Sequence, residues 1–296
     1  MSATSVLNPP QREAIRYLDG PLLVLAGAGS GKTRVITEKI VYLIESCGFS
    51  PGNIAAITFT NKAAREMQER VGKLLVGKPS RGLTISTFHA LGMRILREEA
   101  GVLGYKPSFS ILDATDCFGI VSELAGSADK LAIRKLQSLI SNWKSALVSP
   151  DQARKKARNE SEILAANAFA SYSATLQAYQ AVDFDDLIAL PVALFENHPA
   201  VRDKWQNRLR YLLIDEYQDT NASQYQLLRL LAGARAAFTA VGDDDQAIYG
   251  WRGADIANLR GLPRDYTNLK LIKLEQNYRS TVRLLKAANA VISHNE

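Results

Sequence analysis

The segment spanning residues 22–44 joins an apolar run to a glycine-rich turn and then to an amphipathic pattern. Residues 22–26 are all aliphatic, as in a strand buried on both faces, and Ile36, Ile40 and Leu43 recur at helical spacing. Between them lies the sequence AGAGSGKT, residues 26–33. A turn that ends in Gly-Lys-Thr between a strand and a helix is the pattern of a phosphate-binding loop. The chain is therefore predicted to fold as an α/β protein with a parallel sheet of the P-loop NTPase type, flanked by helices.

The composition of this loop suits the binding of a nucleoside triphosphate. Its glycines let the backbone present N–H groups to phosphate oxygens, and the following helix adds the positive end of its dipole. Lys32 is predicted to reach the β- and γ-phosphates, and the Thr33 hydroxyl to ligate Mg²⁺. Ala26 stands where the usual pattern begins with glycine. The residues predicted to bind nucleotide are Ala26, Gly27, Ala28, Gly29, Ser30, Gly31, Lys32, Thr33 and Arg34.

Two adjacent carboxylates follow a second apolar run, at residues 211–214. Ligands of open α/β sheets bind at the carboxyl ends of strands, which is where Asp215 and Glu216 are predicted to lie. Asp215 fits the metal side of the site, and Glu216 fits a general base for the attacking water. The alternative is that the pair only caps the next helix.

The remaining patterns divide the chain into three regions. Apolar runs at residues 54–59, 83–88, 238–241 and 269–274 predict further strands, whereas residues 93–189 are almost free of strand patterns. This middle region is predicted to be a mostly helical insertion in the α/β domain. With 296 residues, the chain is long enough for each part to have its own core.

Charge and cysteine usage limit the class of protein. The net charge of +6 fits a polyanionic partner such as nucleic acid, although it also fits a merely basic protein. Cys47 and Cys117 form no CxxC pair and are predicted to remain reduced, as in a cytoplasmic protein. The start of the chain lacks the pattern of a signal peptide, and no apolar stretch of about 18 residues predicts a membrane span.

Several longer motifs resemble those of the Rep/UvrD/PcrA DNA helicases of superfamily 1A, and most closely those of the Rep branch. The likeness extends along the chain. Its motifs are LNPPQ at 7–11, TFTNKAA at 58–64, STFH at 86–89, DFDDL at 183–187, GDDDQAIYGWRG at 242–253 and EQNYRS at 275–280.

The resemblance implies a division into helicase subdomains. Residues 1–92 and 190–268 would form the RecA-like ATP-binding domain 1A, with residues 93–189 as the helical insertion 1B. Residues 269–296 would begin a second RecA-like domain, 2A, which is expected to be incomplete. The apolar faces of residues 269–274 and 284–292 are then expected to lack their partners.

The resemblance also implies roles at the ATP site beyond the P-loop. Gln11 would read the adenine through its amide, and Gln246 would sense the γ-phosphate from the end of its strand. Arg279 would act as an arginine finger on the transferring phosphoryl group. Together with Lys32, Asp215 and Glu216, these residues form the predicted catalytic set, with ATP and Mg²⁺ as cofactors.

A second set of residues is predicted to hold single-stranded DNA. Stacking on aromatic side chains is indifferent to base sequence, and Phe59, Tyr249 and Trp251 lie in matching motifs. The polar or cationic contacts would come from Asn61, Thr87, His89 and Arg252. The alternative for an aromatic residue is burial in the core, which we expect for Phe88; Trp251, between glycines, is expected to be exposed.

The function implied is that of an ATP-driven 3′→5′ translocase and helicase, in DNA replication or repair, in the bacterial cytoplasm and associated with the nucleoid. Its partners would be single-stranded DNA, junctions of single- and double-stranded DNA, and replication or repair proteins. The chain itself is expected to bind nucleotide weakly and not to unwind DNA. Two alternatives remain: the motor of a helicase–nuclease, or a non-catalytic DNA-binding module with a vestigial P-loop.

Overall fold

The computed structural model describes residues 7–77 and 80–293, and the side chain of Arg252 lies outside the described part. The strands are β1 (Leu22–Ala26), β2 (Ile54–Thr58), β3 (Thr84–Thr87), β4 (Ser110–Ile111), β5 (Ala181–Val182), β6 (Tyr211–Ile214), β7 (Phe238–Gly242) and β8 (Lys270–Leu274). The helices are α1 (Pro9–Arg16), α2 (Lys32–Glu45), α3 (Asn61–Leu74), α4 (Phe88–Glu99), α5 (Ala114–Ala125), α6 (Lys130–Ser145), α7 (Pro150–Lys156), α8 (Glu160–Ala178), α9 (Asp186–Asn197), α10 (Pro199–Arg208), α11 (Ala222–Ala232), α12 (Ala257–Arg260), α13 (Leu262–Asp265) and α14 (Val282–Ile292).

Six strands form one parallel sheet in the order β3-β2-β6-β7-β1-β8. The central strands are buried along nearly their whole length, because their aliphatic side chains are covered on both faces. Helices α1, α2 and α3 contribute to the core that these strands share. The predicted α/β class, with a parallel sheet flanked by helices, is confirmed.

Strand β8 differs from its predicted place. Residues 269–274 were expected to open a second sheet, but β8 pairs with β1 along five positions, from Leu22 opposite Lys270 to Ala26 opposite Leu274. The pairing buries Ile272 and Leu274 in the core of the first sheet, so this apolar face has its partner here. By contrast, the apolar side chains of α14 stay exposed, with Val291 72% exposed. The first sheet therefore continues past residue 269 and ends with β8.

The chain divides into two compact units whose bounds also differ from those predicted. The sheet unit comprises Met1–Thr87, Trp205–Thr220 and Ala232–Glu296, and the helical unit comprises Phe88–Lys204 and Asn221–Leu231. The helical unit is thus wider than residues 93–189. One reason is the packing of α4 on α9, where a Cβ atom on Gly92 would lie 1.8 Å from the carbonyl oxygen of Leu187. Phe88, predicted to be core, is 1% exposed.

The helical unit contains a buried ionic cluster. The Lys144 ammonium on α6 lies 2.7 Å from a carboxylate oxygen of Asp183 and 2.8 Å from one of Asp186. The Tyr172 hydroxyl donates to Asp183 at 2.9 Å. Burial opposes the charge, but Asp186 and Asp183 together hold the pKa of Lys144 above its ordinary value. The cluster fixes the turn between β5 and α9, which is part of the DFDDL motif.

We expect Lys144→Met to lower the free energy of unfolding of the helical unit by about 3–5 kcal/mol, because two buried carboxylates lose the ammonium to which both are bonded. Chemical denaturation followed by circular dichroism measures the change. The matched control is Lys130→Met on the same helix, where the side chain is exposed and the effect should stay within about 0.5 kcal/mol. Equal stability of the two variants would contradict this account of the cluster.

Among the described residues, no helix has both the length and the apolar character needed to cross a membrane.

Candidate functional site

The carboxyl ends of the parallel strands bring the predicted nucleotide residues to one edge of the sheet. The P-loop follows β1, Asp215 and Glu216 follow β6, and the segment with Gln246 follows β7. Since β6, β7 and β1 are neighbours in the sheet, these three loops lie side by side. Residues that are far apart in the sequence are thereby collected around one site.

The P-loop conformation requires glycine at two positions. Gly29 and Gly31 have φ angles of 73° and 94°, in the left-handed region that side chains disfavour. A Cβ atom on Gly29 would lie 2.6 Å from Cβ of Arg279, and one on Gly31 would lie 2.8 Å from the amide nitrogen of Gln11. Gly31 is also the N-cap of α2, which begins at Lys32. The loop therefore presents its backbone at the N-terminus of a 14-residue helix.

Lys32 lies opposite the predicted base. Its ammonium donates to a carboxylate oxygen of Glu216 at 3.0 Å and lies 4.0 Å from one of Asp243. The Lys32 side chain is only 10% exposed, so this pair is not a loose surface contact. The two residues on which the predicted triphosphate site most depends thus meet in the structure.

Carboxylates outnumber cations around Lys32. Burial and the neighbouring charge of Glu216 raise the pKa of Asp215 to about 7, with Lys32 opposing the shift. The same two causes raise the pKa of Asp219 to about 6, and burial raises the pKa of Asp243. Burial is the largest cause of each shift, and a cation bound beside Asp215 would favour its charged form.

The predicted metal ligands fit that demand. Asp215 is 4% exposed, and its Oδ1 accepts the backbone N–H of Glu216 at 3.1 Å, which leaves its other oxygen for a cation. Thr33 lies in the first turn of α2 and is half-buried. Hard oxygen ligands of this kind suit Mg²⁺. A separate group of carboxylates at Asp243, Asp244 and Asp245 has oxygens within 4.8 Å of one another, and two of its three members are exposed.

Glu216 is held by a residue that the sequence analysis did not single out. Its backbone is left-handed, with φ 50° and ψ 46°, a strained conformation that often marks functional positions. The Gln218 amide donates to the Glu216 carboxylate at 3.0 Å, and its oxygen accepts the backbone N–H of Asp243 at 3.0 Å. Asp243 in turn accepts a hydrogen bond from Gln246. Gln218 therefore links the ends of β6 and β7; its place in the motif DEYQD was the available signal.

Gln11 lies on α1, against the P-loop. Its amide donates to the carbonyl of Ser30 at 2.9 Å and accepts the backbone N–H of Asn8 at 3.1 Å, and the side chain is 1% exposed. An amide has two N–H groups and two lone pairs, so one of each remains. The structure brings Gln11 to the nucleotide site, where its adenine contact stays a prediction.

The segment after β8 also lies against the P-loop. The Tyr278 backbone donates to the carbonyl of Gly29 at 2.9 Å, and the Asn277 amide donates to the carbonyl of Ala28. The Tyr278 hydroxyl accepts from the Asn8 amide at 2.9 Å, and its ring is 53% exposed. Arg279 has an exposed side chain beside Gly29. Arg279 thus lies beside the P-loop because β8, the strand that precedes it, pairs with β1 in the first sheet.

The predicted DNA residues of the sheet unit lie at the same edge. Trp251 is 76% exposed, as expected, and its ring centroid lies 6.4 Å from that of Tyr249, which is 38% exposed. Phe59, directly after β2, is half-buried, whereas Asn61 at the start of α3 is exposed. Thr87 ends β3 and is 8% exposed, which leaves little of it to contact a ligand. The Arg252 side chain lies outside the described residues.

In the helical unit, His89 has an aromatic neighbour that the sequence analysis did not assign. Its ring centroid lies 5.9 Å from that of Phe184, and burial lowers the pKa of the imidazole, so the ring is held neutral near pH 7. Phe184 is 56% exposed, although it stands between the buried Asp183 and the half-buried Asp185. The exposed ring therefore stands on a turn that the buried ion pairs of Lys144 hold in place. The signal was an apolar ring between acidic residues in DFDDL.

Comparisons with known proteins agree with this geometry. The model of the UvrD/REP helicase N-terminal domain matches residues 7–267. The chain is 55% identical over 292 residues to the ATP-dependent DNA helicase Rep of Escherichia coli (strain K12), an alignment that covers 98% of the chain and 43% of that protein. The Rep helicase of Salmonella typhimurium is 54% identical, with the same coverage.

A third relative is the ATP-dependent DNA helicase PcrA of Staphylococcus epidermidis, 46% identical over 293 residues, or 98% of the chain and 40% of that protein. The chain therefore spans less than half the length of these curated relatives.

Proposed function

Because the chain belongs to the UvrD/REP helicase family and corresponds to its N-terminal part, we propose that it is the ATP-binding portion of a 3′→5′ translocase on single-stranded DNA. The observation that carries this proposal is the contact between Lys32 and Glu216, at 3.0 Å, across the end of the sheet. A P-loop lysine at the N-terminus of a helix, with a carboxylate beside it, is the arrangement that enzymes use to hydrolyse nucleoside triphosphates. Lys32, Thr33, Asp215, Glu216 and Gln246 are all present, which argues against a vestigial P-loop.

Nucleotide binding requires Lys32 to exchange partners. Its ammonium moves from Glu216 to the β- and γ-phosphate oxygens, while the backbone N–H groups of the P-loop surround the phosphates. Thr33 and Asp215 would hold Mg²⁺, which supplies charge neutralisation on the phosphate oxygens when bound. Gln11 and the exposed ring of Tyr278 would contact the base, the first by its remaining hydrogen-bonding groups and the second by stacking.

Hydrolysis then uses groups that the binding step has freed. Once Lys32 has left, Glu216 remains anchored by Gln218 and takes a proton from the attacking water. Gln246, which donates a hydrogen bond to Asp243, would contact the γ-phosphate. Its position before Tyr249 and Trp251 would couple that contact to the conformation of the loop that carries them. Arg279 places positive charge beside the P-loop. This chain, which spans less than half the length of its curated relatives, is expected to hydrolyse ATP slowly.

The DNA strand would lie along the carboxyl edge of the sheet, on Phe59, Tyr249 and Trp251. We also assign Phe184 to the stacking residues, beside His89. Of the predicted polar contacts, Asn61, His89 and Arg252 would contribute, whereas Thr87, only 8% exposed, leaves little surface for one. Junctions of single- and double-stranded DNA, replication or repair proteins, and a place at the bacterial nucleoid belong to the same proposal, supported by the bacterial DNA helicases among the relatives.

We expect Trp251→Ala to weaken binding of a single-stranded oligonucleotide about 5- to 100-fold, since stacking of one base on an aromatic ring is worth about 1–3 kcal/mol. Fluorescence anisotropy at fixed salt measures the loss. The control is Tyr179→Ala, which removes another exposed ring, 65% exposed against 76% for Trp251, at the end of α8. A loss of the same size for both variants would remove Trp251 from the DNA site.

Steady-state assays with and without single-stranded DNA test the whole proposal. We expect slow hydrolysis of Mg-ATP that depends on Lys32, and no unwinding by this chain. A chain that binds DNA but neither binds nor hydrolyses ATP would instead be a non-catalytic DNA-binding module.

A further inference from the structure

A buried lysine outside the catalytic set connects two helices of the nucleotide site. Lys39 lies on α2, one and a half turns beyond the P-loop, and is 0% exposed. Its ammonium donates to the carbonyl of Ala14 at 2.8 Å and to the carbonyl of Tyr17 at 2.7 Å. It also lies 5.4 Å from the ring centroid of Tyr211. The side chain thus ends on the backbone of another element.

Those carbonyls belong to the last turn and the C-cap of α1. A helix leaves its final carbonyls without internal partners, and the negative end of its dipole favours a cation there. The contact has a cost, because burial lowers the pKa of Lys39 to about 7, with Cys47 opposing the shift. A methionine would fill the same space without that cost, so the contact itself is what distinguishes the lysine.

Helix α1 is fastened at its other end by the nucleotide loop. The Asn8 side chain caps the helix, and Gln11 reaches from its first turn to the carbonyl of Ser30. Helix α2 begins at that same loop. Lys39 and Gln11 therefore join α1 to the P-loop and its helix at two points, on opposite ends of an eight-residue helix.

We propose that Lys39 is a positioning residue for base recognition: by holding the C-terminal end of α1 against α2, it keeps the amide of Gln11 at a constant place beside the P-loop. The proposal rests on the proposed function, in which Gln11 reads adenine. Lys39 touches no nucleotide and acts through Gln11. Loss of the Lys39 side chain should weaken the preference for adenine over a base without a purine edge. The contacts to the triphosphate group itself should stay nearly unchanged.

The experiment compares Mg-ATP with Mg-UTP, which has the same triphosphate and no purine edge. Calorimetry gives both dissociation constants for the wild-type chain, Lys39→Met, Lys39→Arg, Gln11→Ala and the double variant. We expect Lys39→Met to weaken ATP binding by about tenfold, the effect of one lost hydrogen bond, and UTP binding by less than about twofold. Lys39→Arg keeps a cationic donor and should retain most of the preference.

The decisive quantity is the dissociation constant for UTP divided by that for ATP. This ratio does not depend on how much of a variant is folded. Gln11→Ala should lower this ratio as Lys39→Met does, and the double variant should lower it no further, since both act on one contact. Should Lys39→Met not fold, Lys39→Gln, which retains an amide N–H₂ group as donor without a charge to bury, takes its place with a smaller expected loss.

The proposal alone would be overturned by an unchanged ratio in the lysine variants while Gln11→Ala lowers it, or by additive losses in the double variant. Equal loss of ATP and UTP affinity in Lys39→Met would also overturn it, as this is what a merely structural role produces. If the wild-type chain bound both nucleotides equally, adenine reading by Gln11 would fail together with the inference. No binding of either nucleotide would overturn the proposed function.

Discussion

Replacing Glu216 by glutamine is expected to lower ATP turnover by about 10²–10⁴-fold, the range that a general base contributes, while Mg-ATP stays bound. Glutamine keeps the shape of the side chain and the contact with Gln218, but it cannot accept the proton of the attacking water. It also weakens the interaction with Lys32, because a neutral amide does not balance the charge of the ammonium. We therefore expect nucleotide affinity to be equal to that of the wild type or higher.

Single-turnover hydrolysis and calorimetry on the same preparation separate the two effects. Glu69→Gln, at an exposed position on α3, is the control for loss of one negative charge and should leave both quantities unchanged. Parallel losses of turnover and affinity in Glu216→Gln would show that Glu216 serves binding and not proton transfer. Turnover that survives the substitution would require another base.

The second large effect is expected for Lys32→Ala, which should weaken Mg-ATP binding by about 10- to 100-fold, since hydrogen bonds to charged groups are worth about 1.5–3 kcal/mol. The substitution removes the one ammonium within 4.0 Å of Glu216 and Asp243 among the described residues. The carboxylates that remain then repel the triphosphate. Calorimetry at constant Mg²⁺ measures the change.

Lys73→Ala, near the exposed end of α3, removes a positive charge away from the P-loop and should bind Mg-ATP like the wild type. If the two lysine variants lost affinity equally, the general charge of the protein, and not the P-loop, would be responsible for binding.

Local sequence patterns predicted the strands well because each strand carries its own signal. The run at residues 211–214 is β6, the run at 54–59 exceeds β2 by one residue at its end, and the run at 83–88 exceeds β3 by one residue at each end. The residues around the triphosphate were also predictable, since strand ends meet at one edge of a parallel sheet. The contact between Lys32 and Glu216 follows from that rule.

What the sequence could not supply was the pairing of distant segments. The apolar pattern of residues 269–274 is equally suited to either of two sheets, and only the free position beside β1 decides for the first. The bounds of the helical unit depend on packing such as that of Gly92 on Leu187, which no periodicity reports.

The same limit applies to individual side chains. Nothing in the local sequence shows that Gln218 joins Glu216 to Asp243, or that Lys39 ends on the carbonyls of α1. Both contacts join residues from different elements, and both were found only in three dimensions.

The most direct test of a working triphosphate site is a crystal structure of this chain with Mg²⁺ and a non-hydrolysable ATP analogue. We expect the Lys32 ammonium to have left Glu216 for the β- and γ-phosphate oxygens, with the metal between Thr33 and Asp215 and Glu216 still bonded to Gln218. Density for the analogue at any other place, with the ion pair between Lys32 and Glu216 intact, would contradict the account.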